Sequence, residues 1–297
     1  MLSQSGLKQN MTIPLTLLTA LIPLSGCIDT QAPETGSVQV VGSETVRPLA
    51  EACASEFMSK HPESDVVVRG GGSGDGIAAL LHGMTDIGMA SRDISAKERE
   101  AAASKGIELT EFDLALDGIA VIVHNTNPVG TLDVKQLRAI YSSTQPQTWK
   151  DFNGEAREIL MFGRGGSSGT AAMFQQRVLG EAGYSGLVRR LLDNDAIVAA
   201  VATQPGAIGY TGLSALKHAR GKVRVVVLRE NPQAASVLPT PETIRSGAYP
   251  VIRKLHFYTA GKPSGTVKSF INACQDMGKH GLVEKVGYVS LADPVAK

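Results

Sequence analysis

Cysteine is scarce in this chain, and its few copies rule out whole classes of protein. Cys27, Cys53 and Cys274 are the three present, and their spacing forms neither a zinc motif nor a redox pair. The six histidines are scattered, with no pair at the i, i+4 spacing of a helical metal site, so no metal is expected. Neither Gly-x-x-x-x-Gly-Lys-Ser/Thr nor Gly-x-Gly-x-x-Gly occurs, and no cofactor is expected. An excess of charge is also lacking: 29 Lys and Arg against 28 Asp and Glu leave a net charge of +1. No broad field points to nucleic acid, and any anion site must be local. No apolar stretch approaches the roughly 18 residues of a membrane span. Internal repeats and low-complexity segments are missing too.

What is present suits a globular protein: 43% hydrophobic residues, 19% charged, and 297 residues in all, enough for about two domains. The first ten residues are polar and carry Lys8; Ile13 to Leu24 is then a short apolar run broken by Pro14 and Pro23. This is the order of an export signal over residues 1–26. The run ends in Leu24-Ser25-Gly26-Cys27, which looks like the lipobox of bacterial lipoproteins, with Cys27 as the lipidated residue. A polar tether fills 27–36. The alternative is a plain signal peptide with a chance cysteine.

Beyond the tether, strand patterns alternate with helix patterns. Strands are expected near 38–42, 66–68, 86–90, 159–162, 207–210 and 223–228, and helices near 49–58, 77–81, 133–141, 170–179, 196–202 and 267–277. Two longer strand patterns cover 114–123 and 251–259. The fold class is therefore α/β, with helices on the faces of a sheet.

Three loops share one design, each following a strand and opening a helix. They are Gly42-Ser43-Glu44-Thr45, then Gly70-Gly71-Gly72-Ser73-Gly74-Asp75-Gly76, and Gly163-Arg164-Gly165-Gly166-Ser167-Ser168-Gly169-Thr170. A helix N-terminus presents free N–H groups and a partial positive charge, which favour an anion. Glycine permits close backbone approach, hydroxyls add donors, and Arg164 adds a planar fork. Ser91-Arg92 can supply a fourth loop and a second guanidinium. Taken singly, each loop could be an ordinary capped turn. Gly165-Gly166-Ser167-Ser168-Gly169 also fits the Gly-x-Ser-x-Gly elbow of serine hydrolases, with Asp193 or Asp195 and His218 or His256 in the order that motif uses. No second element resembling an oxyanion hole accompanies it.

Together the stretches GSETVRPLAEACASEF, VRGGGSGDGIAALLHGMTDIGMASRDI, GRGGSSGT and QPGAIGYTGL resemble the phosphate-binding proteins of bacterial phosphate ABC transporters, from about Val38 to the C-terminus. The resemblance implies a two-lobed periplasmic-binding-protein fold (type II), with a mixed sheet flanked by helices in each lobe and two crossover segments. Lobe 1 would hold 37–117 and 251–297, and lobe 2 would hold 118–250. It implies a monomer, not an enzyme, held at the periplasmic or cell-surface side of a membrane by its lipid. Such a protein captures inorganic phosphate between its lobes and delivers it to a permease. Carried over, the ligand positions are Ser43, Thr45, Ser73, Arg164, Ser168, Gly169 and Thr170, with Arg92 beside them. In some members the Arg92 position is an aspartate that accepts the phosphate proton, whereas this chain resembles a branch with a Ser-Arg pair. Asp117 is favoured as the acceptor here, with Glu44 and Asp93 as alternatives. The same fold binding sulfate or molybdate remains the second reading. Cys53 and Cys274 fall in one lobe, where they could pair or simply fill the core.

Replacing Cys27 by Ser should move the protein from the membrane fraction to the soluble fraction without changing its unfolding midpoint. Retention on membranes after a salt wash would exclude the lipid anchor.

Overall fold

The computed structural model describes residues 36–291 apart from 218 and 220. The expected signal peptide, Cys27 and all of the tether except Gly36 lie outside the described residues, as does His218. In the described part, β1 (Gly36–Gly42), β2 (Ser64–Arg69) and β3 (Ile87–Ala90) are joined by α1 (Arg47–Lys60) and α2 (Ser73–Leu81). Val38 and Val40, on one face of β1, are fully buried, whereas Ser37, Gln39 and Val41 on the other are not. β1 pairs in parallel with both β2 and β3, so β1 is central. The ends of β1 and β3 meet α2 closely. Gly42 has φ +139°, and a Cβ there would lie 2.3 Å from the carbonyl oxygen of Met89, so only glycine fits.

α3 (Ala96–Ser104) leads into β4 (Leu109–His124), a strand of 16 residues. Farther on come β5 (Thr131–Asp133), α4 (Val134–Ser142), β6 (Leu160–Arg164), α5 (Gly169–Phe174), β7 (Arg189–Leu191), α6 (Asn194–Thr203) and β8 (Ala207–Gly212). The chain continues through α7 (Leu213–Leu216), β9 (Val223–Val225), β10 (Val227–Arg229), α8 (Pro241–Arg245), β11 (Ile252–Ala260), α9 (Gly265–Lys279) and α10 (Leu282–Val286). The main sheet runs β2-β1-β3-β11-β4-β8-β6-β7, with β9 also on β4. β4 changes partner partway along. Up to Gly118 it pairs antiparallel with β11, and from Ile119 it pairs antiparallel with β8.

Two differences from the sequence expectations stand out. The helix expected over 170–179 ends as α5 at Phe174 and continues as a π-helical turn, Gln175–Leu179. The strand expected over 223–228 is divided at Val226, so that β9 pairs with β4 while β10 pairs with β5.

Separate cores flank the partner switch. One packs α1 and α9 against the sheet through Leu49, Phe57, Phe257 and Phe270. Cys53 and Cys274 lie in it as free, buried thiols. The other gathers Trp149, Phe174, Tyr210 and Tyr141 around the second half of β4. There Phe174 stacks on Tyr210 with ring centroids 4.1 Å apart.

Candidate functional site

The loops at the ends of β1, β2, β3 and β6 converge. Ser43 leaves β1 with its N–H on the Met89 carbonyl, 3.0 Å. Gly72 opens α2 with its N–H on Asp75 Oδ2, 2.7 Å, which sets Ser73 in the first helical position. Ser168 caps α5, its Oγ accepting from the N–H of Ala171. The N–H of Gly74 donates to the Ser167 carbonyl at 3.0 Å, tying the second loop to the third. Gly169 sits so close that a Cβ would lie 2.2 Å from Ser73 Oγ and 2.5 Å from Ser91 Oγ.

Within this junction the hydroxyls meet one another. Ser43 Oγ donates to Ser91 Oγ at 3.0 Å, and Thr45 Oγ1 is 3.1 Å from Thr170 Oγ1. Ser73 Oγ lies 3.4 Å from Ser91 Oγ and accepts from the Ser91 N–H at 3.0 Å. All five residues are buried.

The cation among these hydroxyls is Arg253, from β11. Its Nη1 donates to Thr170 Oγ1 (2.8 Å) and Ser91 Oγ (3.3 Å), and its Nη2 donates to Thr45 Oγ1 (3.3 Å). Opposite it in register stands Asp117. Arg253 Nε and Nη2 reach Asp117 Oδ2 at 2.8 and 2.6 Å, and the Leu213 N–H donates to Oδ1 at 3.0 Å. Neither side chain of this pair is exposed. Burial raises the Asp117 carboxyl above its ordinary pKa, against the pull of Arg253 and of the Leu213 N–H.

Arg164, at the end of β6, is also buried, but its partners are neutral. Nη1 donates to Asn194 Oδ1 at 2.9 Å and Nη2 to the Leu192 carbonyl at 2.6 Å. Its Nε is buried with no hydrogen-bond partner. Burial, and then the neighbouring Arg253, hold its pKa below the ordinary arginine value. Asn194, the first residue of α6, links the two systems by donating from Nδ2 to Thr45 Oγ1 at 3.1 Å. The buried site thus contains two guanidinium groups and one carboxylate, a net charge of +1.

The structure brings together Ser43, Thr45, Ser73, Asp117, Gly169 and Thr170, with Arg164 joined through Asn194 and Ser168 capping the third loop. It engages Arg92 elsewhere. Both Nη groups of Arg92 bond Glu98 at 2.7 Å, and Nη1 also bonds the Asp93 carbonyl. Burial alone would raise the Glu98 carboxyl, yet the bonds from Arg92 and Ser95 hold it below its usual value. Asp117 is engaged at both oxygens, by Arg253 and by the Leu213 N–H. Of the alternative acceptors, Glu44 is paired with Arg47 at 2.8 Å and Asp93 is 87% exposed.

Sequence reasoning passed over Arg253 and Asn194. A lone arginine in a strand pattern carries no local signal. Its one clue was the neighbouring Lys254, since two adjacent cations on a buried strand cannot both face solvent. The hydrolase pattern finds no support among the described residues. Ser167 is exposed, with no hydrogen bond to a histidine, and His256 lies within 3.4 Å of Asp93, Glu111 and Asp113.

The profile of the PBP superfamily domain matches residues 28–273. The Synechococcus elongatus protein SphX is 30% identical over 84% of this chain and 76% of its own length. The phosphate-binding protein PstS of Bacillus subtilis is 30% identical over 87% of this chain and 82% of its own. Among solved structures, a candidate phosphate ABC transporter substrate-binding protein of Clostridium perfringens, with bound phosphate, superposes with a TM-score of 0.76. It is 29% identical and is matched over 86% of this chain and 100% of its own.

Replacing Arg253 by Ala would leave Asp117 buried without its partner. The expected loss of stability is about 3–5 kcal/mol, measured by denaturant unfolding. A loss below about 1 kcal/mol would mean that the pair does not hold the site together.

Proposed function

The chain belongs to the PBP superfamily and, within it, to the family of the phosphate-binding protein PstS, and from that premise we propose that it captures inorganic phosphate between two lobes for delivery to the permease of an ABC transporter. The single observation that carries the proposal is Arg164. A guanidinium with only neutral partners and an unpartnered Nε is costly to bury. A tetrahedral oxyanion beside it would supply the missing charge and acceptors.

In this proposal the ligand lies against the hydroxyls of Ser43, Thr45, Ser73 and Thr170, the Gly169 and Ser168 turn, and the guanidinium groups of Arg164 and Arg253. Asp117 is assigned to holding Arg253 in place instead of taking the ligand's proton, and Arg92 to bracing its loop through Glu98. The lobe boundaries proposed at 117/118 and 250/251 lie beside the change of partner in β4, between Gly118 and Ile119, and just before β11 begins. A cavity of about 260 Å³ lined by Arg47, Lys217, Asp193 and Asn194 reaches the cluster at Asn194 and offers solvent access. The protein acts by binding without turnover, as a monomer, on the outer side of the membrane to which Cys27 attaches it.

Calorimetry of the ligand-stripped protein tests this. Phosphate should bind more tightly than sulfate or molybdate. Arg164→Ala should cost at least ~2 kcal/mol, roughly thirtyfold in affinity, because it removes a charge-assisted contact. Ser167→Ala should cost almost nothing. Asp117→Asn should weaken phosphate and sulfate in parallel, since it acts through Arg253. If it weakens phosphate alone, Asp117 is the proton acceptor after all; if no oxyanion binds, the proposal fails.

A further inference from the structure

A second cluster of chemistry-bearing side chains lies outside the hydroxyl site, on one face of the β4 and β11 ladder. The register sets His256 opposite Asp113 and Tyr258 opposite Glu111. It also shifts between Leu255 and His256, a bulge that leaves Leu114 unpaired on β4 and re-aims the side chains beyond it. The result gathers three donors within 4.8 Å of one another: one oxygen each from Glu111 and Asp113, and one ring nitrogen of His256.

His256 is 0% exposed, yet neither ring nitrogen completes a hydrogen bond, and neither does Asp113 Oδ1. Nδ1 lies 2.9 Å from that oxygen and 3.4 Å from Glu111 Oε1. Ligands bound at about 2.0–2.2 Å around a first-row divalent ion stand roughly 2.8–3.6 Å apart between octahedral and tetrahedral angles, a range that includes both separations.

The remaining oxygens are held from behind. Lys254 Nζ donates to Asp113 Oδ2 at 2.7 Å, and the Tyr258 hydroxyl donates to Glu111 Oε2 at 2.8 Å. Each carboxylate therefore turns its other oxygen toward Nδ1. On the far side of the ring, Nε2 lies 3.4 Å from Asp93 Oδ1. Three carboxylates and one ammonium surround the ring; a metal-bound imidazole is neutral, so in the loaded site a divalent cation would balance a local charge of −2.

We propose that Glu111, Asp113 and His256 Nδ1 form a binding site for a divalent transition-metal ion of the zinc class. One imidazole and two carboxylates select such ions over calcium or magnesium, which take oxygen alone. Glu111 and Asp113 are 45% and 32% exposed in their side chains, so solvent reaches the site and can complete the coordination. The site would pin β4 to β11 a few residues from Arg253 and Asp117.

The test is titration of the untagged full chain with Zn²⁺ and with Co²⁺ in phosphate-free buffer. One ion should bind per chain, and cobalt should show a visible d–d spectrum without a thiolate charge-transfer band. Glu111→Gln should weaken binding at least about tenfold, a loss that even outer-shell changes produce. His256→Asn should abolish it. Phosphate affinity of Glu111→Gln should equal that of the parent, which separates failure of this site from failure of the phosphate site. Should His256→Asn not fold, the solvent-exposed Glu111→Gln decides alone. Absence of saturable binding, a thiolate cobalt spectrum, or equal affinity in parent and Glu111→Gln would overturn the proposal.

Discussion

Arg253 and Asp117 face each other across neighbouring strands at the place where β4 releases β11 and takes up β8. Removing both charges from water costs several kcal/mol per ion, so the pair persists only with very good geometry. It has that geometry: the guanidinium gives Nε and Nη2 to one oxygen, and a backbone N–H satisfies the other. The Arg253 donors also reach hydroxyls on three loops that come from β1, β3 and β6. Those loops belong to separate strand ends, and each alone is an ordinary turn. One fixed guanidinium gives their hydroxyls a common direction, and Asp117 keeps it fixed.

Charge then decides what the junction favours. Arg253 and Asp117 cancel, and Arg164 remains with neutral partners. Hydrogen phosphate would bring two negative charges to this +1. The difference is comparable to the partial charges, roughly +0.5 each, at the N-termini of α2 and α6. Neither the arginines nor the helices suffice singly; together they let a chain with a net charge of only +1 present a locally cationic site.

The order of strands and helices was legible because glycine at each strand end and apolar spacing within each helix are local signals. The loops were legible for the same reason: Ser43, Ser73 and Thr170 sit beside glycines that mark a strand-to-helix turn. α3 was missed because its sequence AKEREAAAS has no apolar stripe, although Ser95 and Glu98 spell a capping box and form one. Arg253 was hidden because its role depends on strand register, a long-range property. The engagement of Arg92 was hidden because its partner Glu98 lies on the following helix, outside the loop pattern. The Glu111, Asp113 and His256 cluster escaped for a related reason. The i, i+4 test looks along helices, whereas these residues meet across two strands nearly 150 positions apart.

Selectivity depends on which groups can accept as well as donate. In the assignment proposed above, Asp117 holds Arg253 and does not take the ligand's proton. The hydroxyls of Ser43, Thr45, Ser73, Ser91 and Thr170 behave differently, because each can rotate to donate or to accept. In the structure Ser43 Oγ already does both, donating to Ser91 Oγ and accepting from the Thr45 N–H. A hydroxyl that accepts the ligand's proton loses nothing when that proton is present. When the proton is absent, the hydroxyl turns and donates instead. Preference for phosphate over an unprotonated dianion is therefore weaker in a hydroxyl site than in one that repels by a carboxylate. Under that assignment the preference would come from the number of hydroxyls that can make the accepting arrangement at once, and Arg253, which donates to three of them, would limit that number.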